Sequence, residues 1–310
     1  MTARTTPLQQ AIAQQTQHAL ACGALHPIET AHTFIDDGGV RFAVRVAANL
    51  ARKDAARLTP RTQPPRDPFL PYEPDLFVAD LSPTHVALLN KFNVLPHHLL
   101  IVTRAFVAQE TLLDRADFTA LVTALREIDG LGFYNGGAVA GASQAHKHLQ
   151  IVPMPLDGGD GGSRVCVPLE TLFDSATTTA DEIADEIADG VMTIPALPFR
   201  HAFARVDLDD RTQPAEQAAQ RALHGYRALL AAAGVPIVET QGVPQQGAPY
   251  NLLVTRRWML AVPRATEHVA GISVNSLGFA GSFFVRDAAQ LDTLAQVRPM
   301  TALARVSLPR

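Results

Sequence analysis

GASQAHKHLQIVP, residues 141–153, is the stretch from which the chain is best read. In an extended strand successive side chains alternate between faces, so His146, His148 and Gln150 share one face and Lys147, Leu149 and Ile151 the other. The loop just before them supplies Gly141, Ser143 and Gln144, whose backbone amides and hydroxyl suit an anion at the mouth of the strand. An imidazole is a strong neutral nucleophile near pH 7. Its attack on a phosphate held by amides gives a phosphoramidate, provided the attacking nitrogen is unprotonated and the other N–H is donated to an acceptor. Two other readings compete. His-x-His is a two-ligand metal motif, but the third place holds Gln150 where a metal favours His, Asp, Glu or Cys. Two histidines simply satisfied within a sheet is the plainer alternative, and three polar residues on one face beside a glycine-rich loop argue against it.

Outward from this stretch, residues 131–156 read as strand, loop and strand, and 85–94 and 97–104 as two strands joined at Leu95-Pro96. Asp114 is placed to cap a helix carrying Phe118, Leu121, Val122, Leu125 and Ile128 on one side and ending at Gly130. Toward the N-terminus, Asp37-Gly38 signals a hairpin, followed by period-two alternation from Val40 to Val46, and 7–21 reads as a helix opened by Pro7. The prolines between 60 and 74 forbid helix or central strand there, so the segment is expected as a surface loop with Phe69, Leu70 and Tyr72 tucked beneath it. Residues 157–162 form a loop, and the repeated DEIADEIADG (181–190) an acidic solvated helix or flexible segment. The last third begins with a strand in HAFARV, then a helix over 214–234 bounded by Pro214 and Gly234. Two strands within 250–264, a glycine-punctuated strand segment over 271–287 and a short helix near 288–296 complete it. Strands outnumber helices and arrive in hairpins, which makes the chain α+β with a mainly antiparallel sheet. No GxGxxG or Walker A pattern supports a dinucleotide-binding or P-loop fold.

Composition narrows the function. The chain has 310 residues, 18% of them charged, and a formal net charge of −4, so no basic surplus exists to coat a nucleic-acid backbone. Two cysteines, Cys22 and Cys166, make neither a disulfide framework nor a four-thiolate metal site. No apolar run is long enough to span a membrane, no signal-peptide pattern opens the chain, and the cytoplasm is the expected location.

His146-Lys147-His148-Leu149-Gln150 resembles the His-x-His-x-Gln signature of the diadenosine tetraphosphate (Ap4A) phosphorylases, or ATP adenylyltransferases. These form the transferase branch of the histidine-triad (HIT) superfamily, related to galactose-1-phosphate uridylyltransferase. The resemblance extends in order through DPFLPYEPDLFV (67–78), LNKFNVLPHHLLIVTR (89–104), YNLLVTRRWMLAVPR (250–264) and ISVNSLGFAGSFFVR (272–286). It implies a HIT-like sheet flanked by helices, with a catalytic region over 1–190 and a C-terminal α+β extension over 191–310 that completes the nucleotide site.

The same resemblance implies ping-pong adenylyl transfer, Ap4A + phosphate ⇌ ADP + ATP. His148 would be the nucleophile that carries AMP, His146 would orient and polarise the site, and Gln150 stands where the hydrolase branch carries a third histidine. Lys53 resembles an N-terminal phosphate lysine, and Asn90 and Lys91 fall in a substrate-contacting stretch. Asn135 precedes the nucleophile at family-like spacing, and Gly141, Ala142, Ser143 and Gln144 resemble a phosphate loop. Asn275, Ser276 and Leu277 resemble a nucleotide-contacting segment, with Arg286 where the family often has Lys and Ser282 where an apolar residue is common. His98 is read as a structural brace of the sheet, and Trp258 and Phe279 as core. The implied partners are the small molecules Ap4A, ATP, ADP, AMP and phosphate, with neither nucleic acid nor membrane. No tightly bound cofactor or metal is expected, a divalent cation such as Mg²⁺ is left open as an assistant to the substrate phosphates, and the oligomeric state is open. A related nucleotidyltransferase using adenylyl sulfate or a nucleotide sugar is the nearest alternative, and a non-catalytic nucleotide-binding protein the one from a different class.

Overall fold

A computed structural model describes residues 6–47, 67–156, 166–178 and 190–310. The chain opens with helix α1 (Pro7–Ala21), started by a Thr6 capping box with Pro7 in the first turn. Strands β1 (Ala31–Asp37) and β2 (Val40–Val46) then form a hairpin turning at Gly38 and Gly39. Next come β3 (Phe77–Asp80), β4 (His85–Leu89), β5 (Leu99–Thr103), α2 (Arg115–Glu127), β6 (Gly130–Gly136) and β7 (His148–Pro153). After β8 (Thr177–Thr178), β9 (Met192–Thr193) and β10 (Ala202–Arg205) comes α3 (Ala215–Ala233). The C-terminal part holds β11 (Ile237–Thr240), β12 (Val243–Gln246), β13 (Tyr250–Val254), β14 (Trp258–Pro263), β15 (His268–Val269), β16 (Ile272–Ser273) and β17 (Ser282–Val285), then α4 (Ala288–Val297) and α5 (Pro299–Val306).

Ten of these strands make one sheet in the order β3-β4-β5-β7-β6-β13-β14-β10-β9-β8, with every neighbouring pair antiparallel. The expected mainly antiparallel α+β class is what the chain adopts. One face carries Tyr134, Leu149, Ile151 and Leu252 and is covered by helices. Phe118, Leu121, Val122 and Leu125 of α2 lie at helical spacing and meet it together with Tyr226 and Leu230 of α3. Each such side chain contributes about 1.5–3 kcal/mol when fully buried. The other face is covered in two places. Over β6, β13 and β14 lie Phe42 and Val44 of β2, Phe279, Phe283 of β17 and Leu303 of α5. Over β4 and β5, Phe69 packs on Val86, Leu88, Leu100 and Val102. Between these two covers runs β7, with His148 and Gln150 on that face.

Several expectations need correction. Of the residues expected beneath the proline-rich loop, Phe69 is buried on the sheet and Tyr72 is half-buried beside it, stacked on Phe77 of β3, whereas Leu70 is exposed. The strand expected over 85–94 stops at Leu89, since Asn90 to His98 form an irregular connection. Helix α2 ends at Glu127, and Gly130 already belongs to β6, where Ile151 and the Val152 carbonyl leave no room for a Cβ. The β11–β12 hairpin and α5 were not anticipated: Gln241-Gly242 is a weak turn signal, and Pro299 hides a helix start inside a chain end. The segments 60–66, 157–162 and 181–189 lie outside the described residues.

Candidate active site

His148 opens β7 and is 3% exposed. Its Nδ1–H donates to the carbonyl of His146 at 2.8 Å, and its backbone N–H donates to Oε1 of Gln109 at 2.9 Å. That contact assigns the proton to Nδ1 and leaves the Nε2 lone pair without a partner among the described residues. Burial pushes the imidazole pKa down from 6.5 to about 4, against the backbone hydrogen bond, which favours the charged form. The ring is therefore neutral at pH 7. His146 precedes the strand, joined to Ala108 by an isolated bridge, yet its ring lies on the same face: Phe69 stands 5.6 Å from His146 and 5.5 Å from His148. Both His146 nitrogens are turned to acceptors. Nδ1 meets the Asp67 carboxylate at 2.8 Å, and Nε2 meets the Thr103 hydroxyl and carbonyl at 2.8 and 2.9 Å.

Two polar networks set the neighbouring amides. Asn90 Nδ2 donates to His98 Nδ1 at 3.2 Å, and His98 Nε2–H donates to Gln150 Oε1 at 2.9 Å. This relay pins the Gln150 oxygen, so its NH₂ group is the end available to an anionic oxygen. On the other side, buried Arg264 donates to Asn251 Oδ1 at 2.6 Å, and Asn251 Nδ2 donates to Asn135 Oδ1 at 2.9 Å. Ser276 adds its N–H and hydroxyl to the same Asn135 oxygen at 3.1 and 2.7 Å. The Asn135 NH₂ is thus also left as a donor. Burial lowers the Arg264 pKa to about 10, and backbone carbonyls of Val306, Thr266 and Glu267 accept from its Nε and Nη2 groups.

The expected site residues separate into groups. His146, His148, Gln150 and Asn135 come together around β6 and β7. Gly141 has φ +93°, and a Cβ there would stand 2.8 Å from the Cβ of Asn275, so the loop 141–144 and the segment 275–277 touch only because 141 is glycine. Within that segment Ser276 joins the Asn135 network, the Asn275 side chain caps Leu277 N–H at 3.0 Å, and Leu277 points into the core. Asn90 reaches the site through His98. Ala142 donates its backbone N–H to the Gly137 carbonyl, while Ser143 is exposed and Gln144 half-buried on the same loop. Lys91 is paired with Glu73 at 2.7 Å on the surface, and Arg286 is exposed, 3.8 Å from Asp287. No contact brings either to the histidines. Ser282 is buried with its hydroxyl unpartnered among the described residues, and Trp258 and Phe279 are core as expected. Lys53 lies outside the described residues. A surface cavity of about 190 Å³ lined by Phe199, Arg200, His201 and Arg310 contains none of these residues.

Sequence reasoning missed Asp67, Thr103, Gln109, Asn251 and Arg264. Asp67 opens the DPFLPYEP block and Asn251 and Arg264 lie in YNLLVTRRWMLAVPR, so the blocks held the signal without the roles. Gln109 carried none. Its side chain bridges β6 and β7 where their pairing ends at Phe133 and Gln150: Nε2 donates to the Asn135 carbonyl at 2.9 Å and Oε1 accepts from His148 N–H. It takes the place of a peptide between strands that have begun to part.

An α+β chain with this sheet and site is a nucleotidyltransferase by the family models that it matches. Residues 1–175 match the family model for the Ap4A phosphorylase N-terminal domain and residues 195–309 that for the ATP adenylyltransferase C-terminal domain. The chain belongs to the Ap4A phosphorylase family. It is 28% identical over 273 residues to diadenosine 5',5'''-P1,P4-tetraphosphate phosphorylase 2 of Saccharomyces cerevisiae, a match covering 83% of this chain and 79% of that protein. Protein APA1 of the same yeast is 28% identical over 211 residues, covering 64% of this chain and 61% of its own. The crystal structure of yeast Ap4A phosphorylase Apa2 superposes with a TM-score of 0.77 over 99% of both chains at 23% identity, a likeness of fold. That yeast protein has also been crystallised with Ap4A and with AMP. No helix among the described residues is long and apolar enough to cross a membrane.

Proposed function

We propose that the chain is an Ap4A phosphorylase acting by ping-pong adenylyl transfer, Ap4A + phosphate ⇌ ADP + ATP, with His148 as the nucleophile. One observation carries the assignment: His148 Nδ1–H is spent on the His146 carbonyl, leaving the Nε2 lone pair, whereas both His146 nitrogens face acceptors. In the first half-reaction the Nε2 lone pair forms an N–P bond to an α-phosphorus, the bond from that phosphorus to the bridging oxygen breaks, and the oxygen leaves with its electron pair as ATP. In the second, an oxygen of inorganic phosphate attacks the same phosphorus, the N–P bond breaks back to Nε2, and ADP departs. In this reading the NH₂ groups of Gln150 and Asn135 and the backbone amides of Ser143 and Gln144 hold phosphate oxygens, where fixed donors favour developing charge, while the Gly141 and Ala142 amides, taken by the Ala138 and Gly137 carbonyls, shape the loop. His146, held by Asp67, orients this arrangement. Gln150 donates without delivering a proton, which suits transfer to phosphate over transfer to water.

The substrate's phosphates are charged enough for Mg²⁺ or another divalent cation to assist by screening, with no tightly bound cofactor required. Lys53, Lys91, Asn90, Asn275, Ser276, Leu277 and Arg286 are assigned to substrate binding on the family resemblance. Residues 1–190 act as the catalytic region and 191–310 as the region that completes the nucleotide site, in the cytoplasm. Incubation with labelled Ap4A, quenching at neutral or alkaline pH and mass spectrometry test the reading. AMP is expected on His148, no adduct on the His148→Ala protein, and a slower but adenylylated His146→Ala enzyme, with a loss of about 2–4 kcal/mol in transition-state stabilisation. AMP found on His146, or still carried by His148→Ala, overturns it.

A further inference from the structure

Behind the catalytic strand, on the helix-covered face, lies a buried ionic cluster that the chemistry above does not use. Lys147 stands between the two signature histidines in sequence and points away from them through the sheet. Its Nζ donates to Asp117 Oδ2 at 2.5 Å and to the Leu112 carbonyl at 2.9 Å. Asp117 also accepts from His85 Nε2 at 3.0 Å and from the Asp114 backbone N–H at 2.7 Å, and His85 Nδ1 lies 2.9 Å from the Thr84 hydroxyl. Lys147, Asp117 and His85 are each at most 2% exposed. Burial alone would raise the Asp117 carboxyl, but the hydrogen bond from His85 and the Lys147 charge hold it below its usual range. A buried ion pair of this kind is weak evidence of stabilisation, because desolvation offsets much of its Coulomb gain.

The peptide between His146 and Lys147 gives the cluster a different meaning. Its carbonyl accepts from His148 Nδ1–H at 2.8 Å, and its N–H donates to the Val107 carbonyl at 2.8 Å. This peptide precedes the regular strand, which begins at His148, so ladder pairing does less to hold it. The Lys147 side chain anchors the Cα at one end of that plane to α2. We propose that Lys147 is a positioning residue: through Asp117 and Leu112 it fixes the peptide plane whose carbonyl selects the Nδ1–H tautomer of His148 and aims Nε2. The inference rests on His148 being the nucleophile.

The test uses the full-length chain labelled with ¹⁵N-histidine in five proteins: wild type, Lys147→Met, Asp117→Asn, the Lys147→Met/Asp117→Asn double variant, and His148→Gly for assignment. The double variant leaves no lone buried charge, so it remains readable where either single variant, which strands the charge of Asp117 or of Lys147, destabilises the fold. Long-range ¹H–¹⁵N correlation, with His148→Gly to assign the ring, should show one tautomer in the wild type. Lys147→Met and the double variant should show a mixture, with single-turnover adenylylation by Ap4A slowed about ten- to a hundredfold and KM within about twofold. Asp117→Asn, which leaves Lys147 on the Leu112 carbonyl, should be intermediate. A folded double variant that keeps a single Nδ1–H tautomer, or adenylylates at the wild-type rate, overturns the role. No adduct on His148 in the wild type, together with the tautomer shift in the variants, would instead fault the nucleophile assignment alone.

Discussion

The buried neutral ring of His148 makes a prediction about stability that needs no substrate. In the folded chain burial holds its pKa at about 4, while an unfolded histidine titrates near 6.5. Between those two values the unfolded state binds a proton that the folded state refuses, so stability rises with pH across that window. The contribution is therefore complete above pH 6.5 and is lost as pH falls toward 4. A drop from 6.5 to about 4 corresponds to about 3 kcal/mol. His148→Asn removes the titrating ring and leaves every other ionisable side chain in place. Urea unfolding at intervals from pH 7.5 to 4.5 should show the wild type losing about 2–3 kcal/mol more than the variant, nearly all of it below pH 6.5. Adenylylation should stay flat from pH 8 to 5 where an ordinary histidine would lose rate near 6.5. A wild type that tracks the variant at every pH, or that gains stability relative to it toward acid, would refute a buried neutral nucleophile.

Two further substitutions probe the surroundings of the nucleophile. Gln109→Leu strands the His148 N–H and the Asn135 carbonyl in a buried setting, at about 1–3 kcal/mol each. Urea unfolding should report a loss of about 2–6 kcal/mol, and a loss below about 1 kcal/mol would mean that the strands simply close. Gly141→Ala forces a side chain into positive φ and against Asn275, so steady-state kinetics should show phosphate and Ap4A KM values rising together. Unchanged values for both would separate this loop from the phosphates.

The parts of this molecule legible in its sequence are those governed by local periodicity or a short motif. Alternation from Val40 to Val46, the Asp114 cap and the apolar stripe of α2 each leave a signature within a dozen residues. So does the facing of His148 and Gln150, which only requires that the segment be extended. What stayed hidden depends on contacts between distant segments. Asp67 meets His146 from 79 positions away, and Ser276 meets Asn135 from 141. Nothing near Gln109 announces that its amide will fill a gap in a sheet, and Lys147 reads as an outward charge until α2 is folded over it.

The ladder between β6 and β13, five residue pairs long, joins strands that are far apart in the chain. β6 is complete at Gly136, whereas β13 begins at Tyr250, more than a hundred residues later. At roughly 5–20 residues per second, the ribosome needs on the order of 6–20 s to deliver the partner. Throughout that interval the nascent chain carries a seven-residue strand with one open hydrogen-bonding edge and large apolar side chains, Leu131, Phe133 and Tyr134, which the finished fold buries. Such an edge invites pairing with a neighbouring chain on the same polysome. Pace of translation across 137–249, and access of chaperones during it, therefore bear on how much of this enzyme reaches the native state.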